Sequence, residues 1–278
     1  MIDLHTHHDR CGHARGDLRA YAAAAQRRGL RTLGVSDHAP LLLEGAGDEP
    51  APGMHMPASA FDPYLAEATA LRGHVGADLE LLVGVEADYL AGREAAYAAL
   101  LADPRLDYAL GAVHYVDGYH VYDRARWHEH DDVDAVYVRY HELVREAAAT
   151  GLFDVMAHID AIKARAPRPP SAPERAWDAT VEALQAAGVA VEINTSGLRK
   201  CGEPFPAWGL IERLHAAGVP LTFGSDAHSP EEVHHAWPLI RDGLLARGIA
   251  ELVVVRERER VTMPLAAGGT RHGGDVAC

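Results

Sequence analysis

Cysteine is scarce in this chain, with only Cys11, Cys201 and Cys278 among 278 residues. Three is too few and too odd a number for a disulfide framework. Long apolar runs are missing too, and nothing approaches the ~18 uninterrupted apolar residues of a membrane span. The opening Met-Ile-Asp-Leu-His lacks the basic and apolar regions of a secretory signal. The expected compartment is a reducing cytoplasm, with no membrane partner. Positive charge is in deficit: 26 Lys+Arg face 40 Asp+Glu, for a formal net charge of -14. A field of that sign repels phosphate backbones and argues against nucleic acid as a partner. Internal repeats and linkers are also absent, so one domain is expected over residues 1–262.

What remains is an ordinary globular composition, 48% hydrophobic and 24% charged, which excludes wholesale disorder. The length suits one α/β barrel. Short apolar runs alternate with helical stretches, which argues for βα units and a parallel sheet. The runs are Ile2–Leu4, Thr32–Val35, Leu79–Val85, Tyr108–Val113, Phe153–Ala157, Val189–Ile193 and Val219–Phe223. Leu252–Val255 is an eighth strand or a closing edge. Helices are expected at Leu18–Arg28 behind an Asp17 cap, Asp134–Ala149, Pro173–Ala187, Ala207–Ala217 and Pro230–Arg247. Several stop at a glycine shortly before the next strand, as αβ connections prefer. Residues 39–62, rich in Pro and Gly, read as a lid-like insertion, and residues 263–278 as a poorly ordered tail.

Histidine is abundant, at 18 residues, and position gives that number its meaning. His5 and His7 follow the first predicted strand and His38 the second. Glu86 follows the third, His114 the fourth and His158 the fifth. Asp226 and His228 follow the seventh. In a parallel barrel the carboxyl ends of the strands form the face where active sites are built. Imidazole and carboxylate together suit Zn, Mn or Fe. Accidental histidines would not all choose the same end of successive strands, so the joint pattern points to a metal site.

With those motifs in place, the chain resembles the PHP (polymerase and histidinol phosphatase) family. The resemblance is carried by His5-Thr6-His7, Cys11-Gly12-His13, Ser36-Asp37-His38, Gly84-Val85-Glu86, Gly111-Ala112-Val113-His114, Ala157-His158 and Gly224-Ser225-Asp226-Ala227-His228. Within the family it is most similar to the histidinol-phosphate phosphatases, through Glu192–Lys200 and Met56–Tyr64. That resemblance implies a distorted (β/α)7 barrel, TIM-like, which hydrolyses L-histidinol phosphate to L-histidinol and phosphate in histidine biosynthesis. It also implies three divalent ions (Zn, Mn and/or Fe). His5, His7, Glu86 and Asp226 would hold the first, Glu86, His114 and His158 the second, and His13, His38 and His228 the third.

A hydroxide between the first two ions is the implied nucleophile, and Asp226 or a metal-bound water the proton donor to the leaving alkoxide. Arg199, after the sixth strand, is the leading phosphate-binding cation. Lys163, five residues after His158, is the second. Asp37 is expected to orient a neighbouring ligand, and Cys11 to be a small buried residue. Glu44, Asp48, His120 and Tyr122 are unranked candidates for reading the imidazole and ammonium of the substrate. Three rivals share parts of this pattern. A PHP-type phosphoesterase acting on another phosphomonoester or a nucleotide diester would keep every ligand. A non-catalytic PHP module would more often lose some of them. An amidohydrolase would bridge its ions through a modified lysine where Glu86 stands here. Oligomeric state is not legible.

Overall fold

The computed structural model describes residues 1–123, 132–167 and 174–265. Seven parallel strands form one sheet in the order β1-β2-β3-β4-β7-β8-β9. They are β1 (Ile2–Asp3), β2 (Thr32–Val35), β3 (Glu80–Asp88), β4 (Tyr108–Ala112), β7 (Val155–Met156), β8 (Ala190–Asn194) and β9 (Leu221–Gly224). Between β4 and β7 lies a small hairpin, β5 (Tyr115–Val116) and β6 (Tyr119–His120). The sheet curls until its ends meet. Leu4 N donates to Phe223 O at 3.0 Å and His7 N to Ala227 O at 2.9 Å, which joins the chain after β1 to β9 and to the segment that follows it. The result is the expected seven-stranded TIM-like barrel. Its strands are almost entirely buried, as a parallel sheet covered on both faces requires.

The barrel interior is packed. Tyr108 crosses it, donating its hydroxyl to Leu4 O at 2.6 Å. A Cβ on Gly84 would lie 2.3 Å from the Tyr108 ring, so only glycine fits at that position of β3.

The helices form the outer layer: α1 (Leu18–Arg27), α2 (Ala58–Arg72), α3 (Glu94–Leu101), α4 (Val133–Ala149), α5 (Glu174–Ala187), α6 (Ser196–Cys201), α7 (Trp208–Ala216) and α8 (Trp237–Leu245). Asp17 caps α1 by accepting the Ala20 N–H at 2.8 Å. The expected start of α5 at Pro173 lies outside the described residues.

The structure corrects four expectations. Leu252–Val255 is neither an eighth barrel strand nor its closing edge. It lies in β10 (Glu251–Arg256), which pairs antiparallel with β11 (Glu259–Pro264), because β1 and β9 already close the sheet. Arg258 ties this hairpin to the barrel floor, through its N–H to Asp107 O (2.8 Å) and its guanidinium to Asp154 (2.5 Å). Residues 263–265 therefore belong to the hairpin and the buried Leu265, while 266–278 lie outside the described residues. The helix expected over Pro230–Arg247 is broken. His234 and Ala236 turn left-handed (φ 59 and 55), and the His234 N–H is taken by the buried Asp3 carboxylate at 2.6 Å. Residues 58–62, expected within the lid-like insertion, begin α2.

Candidate metal centre

The strand ends deliver their side chains to one cavity of about 710 Å³. His38, Glu86, His114, His158, Asp226 and His228 line it, and His5 and His7 are fully buried beside them. His158 and Asp226 take left-handed backbone (φ 27 and 53), rare for residues with a Cβ and a feature of functional sites. Hydrogen bonds hold both turns: His158 N donates to Glu192 Oε2 at 3.0 Å, and Asp226 N to His5 O at 2.9 Å.

Hydrogen bonds also orient four of the histidines. His5 Nδ1 lies 2.7 Å from Glu192 Oε1, and His7 Nδ1 lies 3.3 Å from Asp37 Oδ1. A carboxylate only accepts, so each Nδ1 carries a hydrogen. In the neutral rings the two Nε2 lone pairs then face each other at 2.9 Å. The same arrangement recurs at His13 and His228. Their Nδ1 atoms donate to the Cys11 and Asp226 carbonyls (3.4 and 3.0 Å), which leaves the Nε2 atoms 3.0 Å apart. Facing lone pairs repel unless a cation lies between them. The donor set therefore fits metal ions, and Glu86 stands at its centre. Glu86 Oε2 lies 3.5 Å from His5 Nε2, 3.6 Å from His7 Nε2 and 2.9 Å from His38 Nδ1. Its Oε1 lies 2.8 Å from His158 Nε2 and 3.8 Å from His114 Nε2. Sets of donor atoms that could share one ion include His5–His7–Glu86, His38–Glu86–His114 and His7–His38–His228.

The electrostatics agree. Burial by itself would raise the Glu86 carboxyl, but His5, His38 and His114 hold it well below the usual carboxylate range. Burial would likewise lower His114, yet Asp88 and Glu86 bring it up to about 9. Against the same opposing burial, His5 rises well above its ordinary value beside Glu192 and Glu86. His38, buried and next to His7, is pushed down to about 3. The pocket thus draws positive charge, which protons on His5 and His114 supply and which a metal ion would supply in their place.

The PHP domain profile matches residues 3–196. The chain belongs to the PHP family. It is 34% identical to a probable histidinol-phosphatase of Deinococcus radiodurans, over 84% of this chain and 88% of that protein. It is 27% identical to the histidinol-phosphatase of Bacillus subtilis, over 84% and 96%. Among solved structures, a putative histidinol phosphatase from Listeria monocytogenes superposes with a TM-score of 0.78 at 21% identity, covering 86% of this chain and 99% of that one. Histidinol phosphate phosphatase from Lactococcus lactis, complexed with Zn, L-histidinol and phosphate, gives 0.77 at 18%, covering 94% and 98%.

The PHP-family site gathers all nine sequence-predicted ligands, but it sorts the predicted cations differently. Arg199 lines the cavity, with its guanidinium 3.3 Å from Glu232 Oε2. Lys163 does not line it. The buried Asp160 carboxylate (2.8 Å) and the Pro204 carbonyl (2.7 Å) turn its ammonium away. Lys200, which the sequence did not single out, is the second cation lining the cavity among the described residues, with Nζ 3.2 Å from Asp226 Oδ2 and 3.1 Å from Ser196 Oγ. It sits one residue after Arg199 on the short helix α6, and that adjacency was the available signal.

Of the four substrate-reading candidates, His120 and Tyr122 line the cavity. Glu44 is exposed near Arg93 (3.9 Å), and Asp48 is spent on Ser59 at the start of α2. Asp37 lies beside a predicted ligand, His7, and also accepts the Cys11 N–H at 3.1 Å. Cys11 is buried, which pushes its thiol far up, and it donates to the His8 carbonyl at 3.1 Å.

Two buttressing carboxylates went unnoticed in the sequence. Asp88 accepts from His114 Nδ1 at 3.0 Å. It stands two residues after Glu86 in β3, on the same face, so strand alternation was its signal. Glu192 orients His5 from β8, and a Cβ on Gly224 would lie 1.9 Å from its Oε1, so Gly224 makes its room.

Proposed function

We propose that this PHP-family chain is a metal-dependent phosphomonoesterase that hydrolyses L-histidinol phosphate to L-histidinol and phosphate, a step of histidine biosynthesis. The observation that carries this reading is the close pairing of imidazole nitrogens, His5–His7 and His13–His228, set around Glu86 in a cavity that also holds Arg199 and Lys200. The names of the relatives point to histidinol phosphate as the substrate. In this reading the cofactors are three divalent ions, drawn from Zn, Mn and Fe. His5, His7, Glu86 and Asp226 hold one, Glu86, His114 and His158 another, and His13, His38 and His228 the third. Such ions, when bound, neutralise phosphoryl oxygens and make water a nucleophile at neutral pH.

The chain's own residues do the rest. Arg199 and Lys200 bind the nonbridging phosphate oxygens, where a guanidinium fork and an ammonium complement the charge. Burial would raise the Asp226 carboxyl, but Lys200 and His7 hold it well below its usual range. Asp226 is therefore a carboxylate in the resting site. It accepts the proton of the attacking water and then returns it to the departing alkoxide of histidinol. The free thiols of Cys11 and Cys201 suit a reducing cytoplasm.

The test is phosphate release by the metal-loaded protein from L-histidinol phosphate, p-nitrophenyl phosphate and a dinucleotide diester. We expect strong preference for histidinol phosphate, lost on chelation and in Glu86→Ala. Equal turnover of all three, or preference for the diester, refutes the substrate. No turnover with metals bound refutes the enzyme.

A further inference from the structure

His55 reaches the cavity from the loop before α2 and is 3% exposed. Its Nε2–H donates to Asp88 Oδ2 at 2.6 Å, while Asp88 Oδ1 takes the Nδ1–H of His114 at 3.0 Å. One buried carboxylate thus orients two imidazoles. The free nitrogen of His114 turns toward Glu86, at 3.8 Å. The free nitrogen of His55, its Nδ1, is a buried acceptor with no partner. Among the described residues it joins none of the convergent donor sets that could hold an ion. A buried acceptor left unmade is costly, and a ligand that donates to it would relieve the cost.

The surroundings say what kind of donor. The ring of Tyr115 lies nearly parallel to His55 with centroids 6.5 Å apart, and His120 packs edge-on against Tyr115 at 5.2 Å. Tyr115 and His120 thus form an aromatic wall beside His55. Such a wall suits a flat heteroaromatic ring. An ammonium is better served by Asp123 and Glu232, carboxylates that line the same cavity. The His55 ring lies 5.4 Å from that of His38, a candidate ligand. The His55 ring thus borders the centre where a phosphate would be held.

We infer that His55 is a specificity-determining residue that accepts, at Nδ1, an N–H of the substrate's imidazole; this rests on L-histidinol phosphate being the substrate. Two substitutions separate the halves of the ring. His55→Gln puts an amide N–H where Nε2 donates to Asp88 and removes the acceptor at Nδ1. His55→Asn keeps an oxygen at the Nδ1 position. The experiment measures inhibition of p-nitrophenyl phosphate hydrolysis by L-histidinol and by its deaminated analogue, 3-(imidazol-4-yl)propanol, together with bound metal per chain. We expect His55→Gln to weaken both inhibitors about tenfold, with metal content and p-nitrophenyl phosphate turnover unchanged. His55→Asn should hold both inhibitors near wild-type affinity.

Unchanged inhibition in His55→Gln overturns the assignment. Weakening of L-histidinol alone moves the contact to the ammonium and also overturns it. Loss of metal or basal turnover in step with inhibitor affinity makes His55 a support of the His114 ligand instead. A wild-type protein that L-histidinol fails to inhibit overturns it as well. Failure of the substrate reading is seen separately, as a wild-type protein that turns over histidinol phosphate no faster than p-nitrophenyl phosphate.

Discussion

Replacing Glu192 with glutamine tests whether a carboxylate that touches no substrate controls the metal centre. Glu192 is 1% exposed and accepts three hydrogen bonds: from His5 Nδ1 at 2.7 Å, His158 N at 3.0 Å and Asn194 Nδ2 at 3.0 Å. A carboxylate suits three donors, and an amide does not. If the new NH2 faces His5, the ring must accept at Nδ1 and carry its proton on Nε2. That proton then points at His7 Nε2, 2.9 Å away, where an ion would bind. If the NH2 faces the other way, it meets the N–H groups of His158 and Asn194. Either arrangement forfeits a charge-assisted bond, worth about 1.5–3 kcal/mol. Loss of such a buttress typically weakens metal binding by about 10–100-fold.

The assay titrates metal-loaded wild type and Glu192→Gln with a chelator, counting metal and activity together. The expected result is a midpoint shifted by one to two decades, with kcat recovered by added metal ion. An unchanged midpoint with full activity would refute the argument that the His5 tautomer governs the site.

Further predictions concern charge and pH. Lys200→Met is expected to lower kcat/KM for L-histidinol phosphate about 100-fold, the scale for losing one aligned cationic donor, with metal content retained. Lys163→Met is expected to spare kcat but cost about 3 kcal/mol of stability, since the buried Asp160 loses its cationic partner at 2.8 Å; thermal unfolding beside steady-state kinetics separates the two lysines. His141, fully buried in α4 with Nδ1 3.4 Å from Thr180, is pushed down to about 3 by burial and then by Arg145. The unfolded chain therefore binds this proton first as pH falls below about 6.5. Stability is full above that pH and declines until about pH 3, by roughly 2 kcal/mol at pH 5. Urea midpoints at pH 7.5 and pH 5 should differ less in His141→Gln than in wild type, and an equal difference would exclude His141 as a source of acid sensitivity.

The parallel barrel and its metal-binding face were legible because both are encoded locally. Short runs such as Thr32–Val35 and Tyr108–Ala112 are apolar enough to be buried on both faces, and a ligand placed just after such a run is delivered to the rim of the barrel. His5, His38, His114, His158 and Asp226 all follow that rule. Glu86 lies inside β3 rather than after it, yet strand alternation still directs it to the same cavity. Chain entropy and hydrophobic burial act over a few residues at a time, so a sequence records them directly.

Tertiary structure alone decided which groups meet across the barrel. Lys163 and Lys200 look alike as isolated lysines, and only the position of Asp160 and Asp226 sends one into the floor of a turn and the other into the cavity. Glu192 and His5 are 187 positions apart, and no local pattern foretells that one selects the tautomer of the other. Leu252–Val255 has the composition of a barrel strand, but the hydrogen bonds between the ends of β1 and β9 leave it no open edge. His55 stands in a Pro- and Gly-rich loop without periodicity, and its buried, unpartnered Nδ1 exists only once Asp88 has taken the other nitrogen. Pairwise electrostatics between distant residues depend on distances of a few ångströms. Closure of the barrel sets those distances, and the order of residues along the chain does not.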